Sequence, residues 1–195
     1  MCPAILTGHH PLIRGLGSKM SEKWKRKHQD EVLLSQEAGL KKKVWGTGYS
    51  VCLAYPNVYR IGMANLGFQT VYNIFNGLPC FLCERLFLPE GDAAEIVAVT
   101  EHAVSLESQR PVRDFDILAF SVSFENDYPS ILQLLESSGI PLQSKDRHGT
   151  HPLVMGGGIA LSLNPEPLAD FFDLFLLFGG RLFFGFHALH RFFRG

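Results

Sequence analysis

The sequence predicts an α/β fold with a Rossmann-like, flavodoxin-like sheet: five strands, doubly wound and mostly parallel, in the order 2-1-3-4-5. Apolar runs of strand length alternate along the chain with helical patterns, which is typical of repeated strand–helix units. The run Ile117-Leu118-Ala119-Phe120 is apolar without interruption, as expected for a parallel strand that is covered on both faces. Hydrophobic residues make up 46% of the 195 residues, which is enough to bury a core. Right-handed crossovers then place helices on both faces of the sheet.

The first strand begins at Tyr49. We expect Pro56 and Asn57 to end it, because proline has no amide hydrogen for a ladder and asparagine favours turns. A loop with two glycines separates this strand from a helix. The apolar face of that helix consists of Phe68, Val71, Tyr72 and Phe75. Gly77, as a C-cap, and Pro79 are expected to end the helix.

Four further strands are expected at residues 81–88, 116–123, 151–155 and 174–178. After the third strand, Asn126 or Asp127 can cap the start of a helix, and Pro129 suits its first turn. A short helix is expected to open at Asn164 and to run to residue 170. Residues 92–114 contain only short apolar pieces, which indicate no single structure.

Three loops should meet at the carboxyl edge of the sheet, at residues 56–67, 121–127 and 156–166, because parallel strands all end at the same edge. Glycines there let backbone amides approach a ligand, while Ser and Asn supply neutral hydrogen bonds. The loops therefore suit a bulky ligand with a polar rim. The same residues also suit turns and helix caps, and the sequence leaves both interpretations open.

Several classes of function are excluded or disfavoured. The chain has no Gly-x-x-x-x-Gly-Lys-[Ser/Thr] phosphate loop, no dinucleotide fingerprint after the first strand and no Gly-x-Ser-x-Gly elbow. Cys80 and Cys83 form a single pair, so buried structural cysteines are favoured over zinc or redox chemistry. A net charge of −1 gives no general attraction to nucleic acid. We expect a cytoplasmic protein, since no apolar run reaches the length of a membrane span or forms a signal peptide.

Several segments resemble, in the same order, radical S-adenosylmethionine (SAM) proteins that have an N-terminal cobalamin (B12)-binding-like domain. Residues 55–69 read YPNVYRIGMANLGFQ and are similar to the first loop and helix of that domain. Further segments that agree are CERLFLP at 83–89, SLESQRP at 105–111, SFENDY at 123–128 and NPEPLADFFD at 164–173. The resemblance extends over residues 44–178.

The resemblance implies a Rossmann-like domain that holds cobalamin beside a radical SAM barrel, in the same chain or in a separate one. That barrel binds a [4Fe-4S] cluster through Cys-x-x-x-Cys-x-x-Cys and uses S-adenosylmethionine. The cysteines of this chain stand at positions 2, 52, 80 and 83, so the cluster motif is missing and the chain is not expected to catalyse alone. The chain also lacks the Asp-x-His-x-x-Gly motif, which implies that any cobalamin is held without a histidine on cobalt.

The resemblance places the corrin ring across the three loops, where the residues pack against the ring and bind its side-chain amides. We predict no catalytic residue and no metal ligand in this chain. The predicted cofactor-binding residues are Asn57, Tyr59, Gly62, Met63, Asn65, Gly67, Ser121, Ser123, Glu125, Asn126, Gly156, Gly157, Gly158 and Asn164.

The chain is expected to have three parts. Residues 1–47 form a partly helical or disordered extension, residues 48–178 form the cobalamin-binding-like domain, and residues 179–195 form a Phe-rich tail that departs from the family and is interpreted as truncated or frame-shifted. Two alternatives to cobalamin binding are kept. One is a flavodoxin-like module for a flavin or nucleotide, and the other is a non-binding scaffold or inactive fragment.

Overall fold

The structure is a computed structural model that describes residues 27–37, 43–46, 48–89, 103–177 and 181–184. The Phe-rich end after residue 184 and the stretch 92–102 lie outside these residues. Residues 1–40 and 41–195 form two separate units. In the first unit, residues 27–36 form helix α1, whose Lys27 and Glu31 side chains make an exposed ion pair one helical turn apart.

The second unit is built on a six-stranded sheet in the order β2-β1-β3-β4-β5-β6. The strands are β1 (Tyr49–Val58), β2 (Phe81–Leu88), β3 (Ile117–Ser121), β4 (Leu153–Gly157), β5 (Leu174–Leu177) and β6 (Arg181–Phe184). The first five strands are mutually parallel, which confirms the predicted fold class and strand order. β6 adds an antiparallel strand beside β5, which the sequence did not predict.

In the described ranges of this unit, four helices connect the strands. They are α2 (Tyr59–Met63), α3 (Leu66–Gly77), α4 (Tyr128–Ser137) and α5 (Ile159–Leu163). Single 3₁₀ turns lie at Val112–Asp114, Glu125–Asp127, Ser144–Asp146 and Glu166–Leu168. In the part of the chain that the structure describes, no helix combines the length and the apolar character needed to cross a bilayer.

The alternation of side chains along β1 divides the core into two layers. Leu53 and Tyr55 point to the face covered by α3, where they pack with Phe68. Cys52 and Ala54 point to the opposite face and join the cluster that includes Ile131 of α4. All six side chains are almost completely buried. The sheet is therefore covered on both faces, as the continuous apolar strands predicted.

β1 does not end at Pro56, as the sequence suggested, but continues to Val58. Tyr55 pairs with Phe87 and Val58 with Leu88, so β1 carries two more residues than β2 between these pairs. This irregularity is a bulge, and bulges tolerate proline because the ladder is interrupted there. The prediction failed because a bulge depends on the neighbouring strand.

The end of α3 also differs in detail from the prediction. Gly77 is the last helical residue, but its φ is not positive, so it is not the left-handed cap that was expected. Leu78 takes the cap position, and the Lys43 ammonium donates to the Leu78 carbonyl at 2.6 Å. A cation at this place also complements the negative end of the helix dipole.

Two side chains cover the free edge of β2. The side-chain nitrogen of Asn76 donates to the Cys83 carbonyl, and the side-chain oxygen of Asn76 accepts from the Cys83 amide, both at 3.0 Å. Two residues later, the Glu107 carboxylate accepts from the Arg85 amide at 2.7 Å, and Leu106 donates its amide to the Arg85 carbonyl at 2.7 Å. These bonds replace a neighbouring strand and block strand addition at these positions.

Candidate functional site

The carboxyl edge of the sheet has its topological switch point between β1 and β3. From β1 the chain crosses to β2 on one side, and from β3 it crosses to β4 on the other. The loops that leave β1 and β3 therefore diverge, which opens the crevice where open α/β sheets bind ligands. The first loop contains the short helix α2, which the sequence did not predict because five residues are too few to show a helical period.

Two side-chain hydrogen bonds join the loops after β1 and β3. Asn65 donates its amide to the Ser123 hydroxyl at 3.0 Å, while its oxygen accepts from the Phe68 amide at 2.9 Å and caps α3. Asn57 donates to the Asp127 carboxylate at 3.1 Å. One asparagine thus starts the helix and also positions the neighbouring loop.

The loops after β3 and β4 are joined mainly through the backbone. Ser121 pairs with Gly157 in the sheet, and the Val122 amide donates to the Gly157 carbonyl at 2.8 Å. Farther out, the Tyr128 hydroxyl donates to the Asn164 carbonyl at 2.8 Å. Together with the first pair of bonds, these contacts bring the three predicted loops to one edge.

Three of the predicted glycines are packed against the protein itself. A Cβ on Gly62 would collide with the Phe87 ring, and one on Gly158 would collide with the Val122 carbonyl. Gly158 also has φ +117°, a backbone conformation that favours glycine. A Cβ on Gly156 would lie 2.6–2.7 Å from apolar side chains of the core. At these positions close packing of the loops already accounts for the glycine.

Other predicted residues differ in their surroundings. The Tyr59 ring packs edge-on against Phe87, with 5.3 Å between centroids, and the Met63 sulfur lies 3.2 Å from the Arg85 guanidinium. Gln69 donates its amide to the Met63 carbonyl, which fixes the end of α2. Five predicted residues are exposed at the edge: Gly67, Glu125, Asn126, Gly158 and Asn164.

Exposed apolar side chains form a feature of this edge that the sequence analysis missed. Leu66 is 77% exposed, Leu163 76% and Phe124 62%. Each is next in sequence to a residue that joins two loops: Asn65, Asn164 or Ser123. Ile61 and Ile159 are also more than one third exposed. We call Ile61, Leu66, Phe124, Ile159 and Leu163 the apolar rim.

Asp127 was considered in the sequence only as a helix cap, but it is a buried part of this edge. Its residue is 7% exposed, and its Oδ2 atom has no hydrogen-bond partner among the described residues. Burial raises the pKa of the Asp127 carboxyl, and the bond from Asn57 opposes part of that increase. Burial, together with the Glu125 charge, also raises the pKa of the Tyr128 hydroxyl.

The chemistry available at this edge is binding through packing and neutral hydrogen bonds. Within the described ranges, no three His, Cys, Asp or Glu side chains cluster so that they could hold a metal ion. Cys83 is buried as expected, and burial raises the pKa of its thiol. The same expectation was wrong for Cys80, which is exposed because it lies in the turn before β2.

Comparison with known proteins gives one match. Residues 67–181 match the family model described as "Radical SAM proteins, N-terminal". No curated protein and no solved structure matches the chain. The matched region covers more than half of the chain and includes most of α3, four of the six strands in full, and the loops after β3 and β4. This chain belongs to the radical SAM protein family and carries its N-terminal domain.

Proposed function

We propose that the carboxyl edge of the sheet holds cobalamin for a radical SAM catalytic domain. The family uses S-adenosylmethionine and an iron–sulfur cluster in its catalytic domain, so an N-terminal domain of this family implies such a partner. The observation that carries the proposal is the convergence of three loops rich in Gly, Ser and Asn at the switch point, beside the apolar rim. A corrin ring has an apolar face and carboxamide groups around its edge, which matches this combination.

The fit of the corrin to these residues divides into two kinds of contact. Leu66, Phe124 and Leu163 would pack against the ring, because their exposed side chains flank the joined loops. Asn57, Ser123 and the exposed Asn126 would bind carboxamides. The Asp127 Oδ2 atom is buried and has no partner among the described residues, which fits a ligand that brings a hydrogen-bond donor.

Cobalamin would supply a cobalt centre for methyl-transfer or one-electron chemistry in the catalytic domain. None of the loops at residues 56–67, 121–127 and 156–166 contains a histidine. The three loops therefore would hold the cofactor without a histidine ligand on cobalt. Their own contribution is to bind the ring, orient it and exclude water from one of its faces.

Retention of the cofactor tests the proposal. The purified chain is incubated separately with hydroxocobalamin, flavin mononucleotide and ATP, and each mixture is passed through gel filtration. We expect retained cobalamin with a shifted visible spectrum. Retention of flavin or ATP alone would favour the nucleotide-binding alternative, and retention of none would favour the scaffold.

A matched pair of variants tests whether the binding site lies at the apolar rim. Leu66→Ser removes an apolar side chain from the rim, whereas Ile74→Ser removes one of similar size that is 58% exposed farther along α3. The two positions lie about 12 Å apart along the helix axis, at 1.5 Å per residue. Leu66→Ser should weaken cobalamin binding and Ile74→Ser should not. Equal affinities for the two variants would contradict a site at the rim.

A further inference from the structure

Asp127 has an open acceptor position in a buried place. Its Oδ1 atom accepts one hydrogen bond, from the neutral amide of Asn57, and its Oδ2 atom has no partner among the described residues. Only 7% of the surface of this residue is exposed. Burying such a carboxylate costs free energy of folding. The group has lost its hydrogen bonds to water and has gained only one bond, from a neutral donor.

The other two buried carboxylates of the described residues are satisfied at both oxygens. Glu84 accepts from a tryptophan at one oxygen and from two serines at the other, at 2.6–2.9 Å. Asp173 accepts from an arginine and from a backbone amide. Asp127 is therefore the exception, and the open oxygen lies at the switch point and not elsewhere in the core.

Asp127 does not act as a helix cap. It directly precedes α4, but its backbone is helical (φ −83°, ψ −4°) because it also ends the 3₁₀ turn Glu125–Asp127, and its side chain makes no capping bond. The carboxylate faces Asn57 at the end of β1 instead. The missing cap follows from the local backbone, so the oxygen without a partner among the described residues is the observation that points to a ligand.

The orientation of Asn57 completes the arrangement. Its oxygen accepts from the Val58 amide at 2.9 Å, so its nitrogen must be the atom that faces Asp127. That nitrogen carries two hydrogens, and one of them is used by Asp127. The pair thus offers a donor from Asn57 and an acceptor from Asp127, side by side.

We infer that Asn57 and Asp127 together bind a primary carboxamide of the ligand, and this rests on the proposed function. The carboxamide N–H donates to Asp127 Oδ2, and its oxygen accepts from Asn57. Because Oδ2 has almost no accessible surface in this structure, the side chains that cover it must shift when the carboxamide enters. Corrin carries primary carboxamides around its edge, so cobalamin presents this group. A carboxylate in the same place would be rejected, because two acceptors would face each other.

The test changes the hydrogen-bonding group on the ligand and, separately, on the protein. Hydroxocobalamin is compared with its monocarboxylic derivatives, in each of which one primary carboxamide is hydrolysed to a carboxylate. Asp127→Asn should weaken hydroxocobalamin binding roughly tenfold, the effect of one hydrogen bond to a charged group. One monocarboxylic isomer should bind poorly to the wild type and better to Asp127→Asn, since the new amide donates to a carboxylate.

Glu136→Gln is the matched control, because it removes the charge of an exposed carboxylate on the same helix. It should change neither the affinity for hydroxocobalamin nor the order of the isomers. The inference is overturned if Asp127→Asn binds hydroxocobalamin as the wild type does. It is also overturned if that variant lowers the affinity for every derivative by the same factor.

Failure of the proposed function gives a different result. If the wild type retains no corrinoid, the proposed function and the carboxamide partner both fall. If the wild type binds but Asp127→Asn does not differ, only the role of Asp127 falls. Urea unfolding without ligand separates a purely structural role: Asp127→Asn should unfold at the same or a higher urea concentration than the wild type, and a clear decrease would overturn the inference.

Discussion

The two edges of the same sheet are built by different chemistry. At the amino edge, Arg147 and Asp173 form an ion pair with side chains that are 0% and 2% exposed, and Asp173 also accepts from the Val154 amide at 2.8 Å. Asp116 likewise accepts from both the amide and the hydroxyl of Ser50 at 2.7 Å. There, charged side chains join the starts of neighbouring strands.

At the carboxyl edge, neutral side chains make the contact between Asn65 and Ser123, and the Asp127 carboxylate accepts from the neutral amide of Asn57. The side chains beside Asn65 and Ser123 are apolar and exposed. Asp127 has an oxygen without a partner among the described residues. The difference teaches that the charged groups of the amino edge are paired, whereas the carboxyl edge keeps exposed apolar side chains and an unpaired oxygen, the two features on which the proposed binding site rests.

The largest expected effect is at the amino edge. Asp173→Ala removes one partner of the buried ion pair and leaves the Arg147 charge uncompensated, which should lower the free energy of unfolding by about 3–5 kcal/mol. Urea unfolding followed by circular dichroism measures this change. A loss below about 1 kcal/mol, the value typical of an exposed pair, would remove the contrast between the edges.

The next effect concerns the backbone of the carboxyl edge. Gly158→Ala places a Cβ against the Val122 carbonyl at φ +117°, which should cost at least about 2 kcal/mol from strain and collision. Gly77→Ala is the control, because a Cβ there meets nothing within 4 Å, and it should stabilise the protein by about 0.5–1 kcal/mol. Equal unfolding midpoints for these variants would contradict the close approach of the loops after β3 and β4.

A smaller effect is expected for the neutral bridge. Asn65→Ala removes both the cap of α3 and the bond to Ser123, and should cost about 1–2 kcal/mol. Ser123→Ala removes the bridge but keeps the cap, so its cost should be about 0.5–1 kcal/mol. Thermal or urea unfolding of both variants checks the order. If Ser123→Ala were the more harmful, these two hydrogen bonds would not account for the stability of this edge.

The smallest effect is a dependence on pH. Because the folded-state pKa of Asp127 is raised by burial, the folded protein disfavours the ionised carboxylate. The resulting penalty is absent below the ordinary aspartate pKa of about 3.9 and appears as pH rises through the folded-state value. Asp127→Asn should therefore gain stability relative to the wild type as pH rises from 3 to 8.

Unfolding midpoints of the two proteins across that pH range measure the difference. The charged and polar groups that flank Asp127 along the chain, Glu125 and Tyr128, are present in both proteins, so the two proteins differ only at position 127. A difference that is constant with pH, or that shrinks as pH rises, would contradict a raised pKa.

Much of the fold could be predicted because its signals are local. The run at residues 81–88 gave both ends of β2, and the spacing of Phe68 and Tyr72 gave the buried face of α3. The bulge after Tyr55 could not be predicted, because it exists only relative to β2. The five-residue helices α2 and α5 are too short to show a period, and β6 takes its place from pairing with β5.

For the candidate site, the composition of the three loops indicated the edge of the sheet at which we propose that a ligand binds. The partners inside it could not be predicted, since Asn65 meets Ser123 across 58 positions of sequence and Asn57 meets Asp127 across 70. Aspartate before a helix normally indicates a cap, so nothing in the sequence showed that Asp127 turns to another loop. The exposure of Leu66 and Phe124 is likewise a result of packing.

The sequence by itself determined the strand–helix alternation, the family and the Gly-, Ser- and Asn-rich composition of the loops, because periodicity, turn residues and composition act over a few positions. Only the tertiary structure decided which side chains meet at the carboxyl edge and which carboxylate oxygen has no partner among the described residues. Those contacts depend on strand order and register, which bring distant residues within 3 Å and leave adjacent ones facing opposite ways.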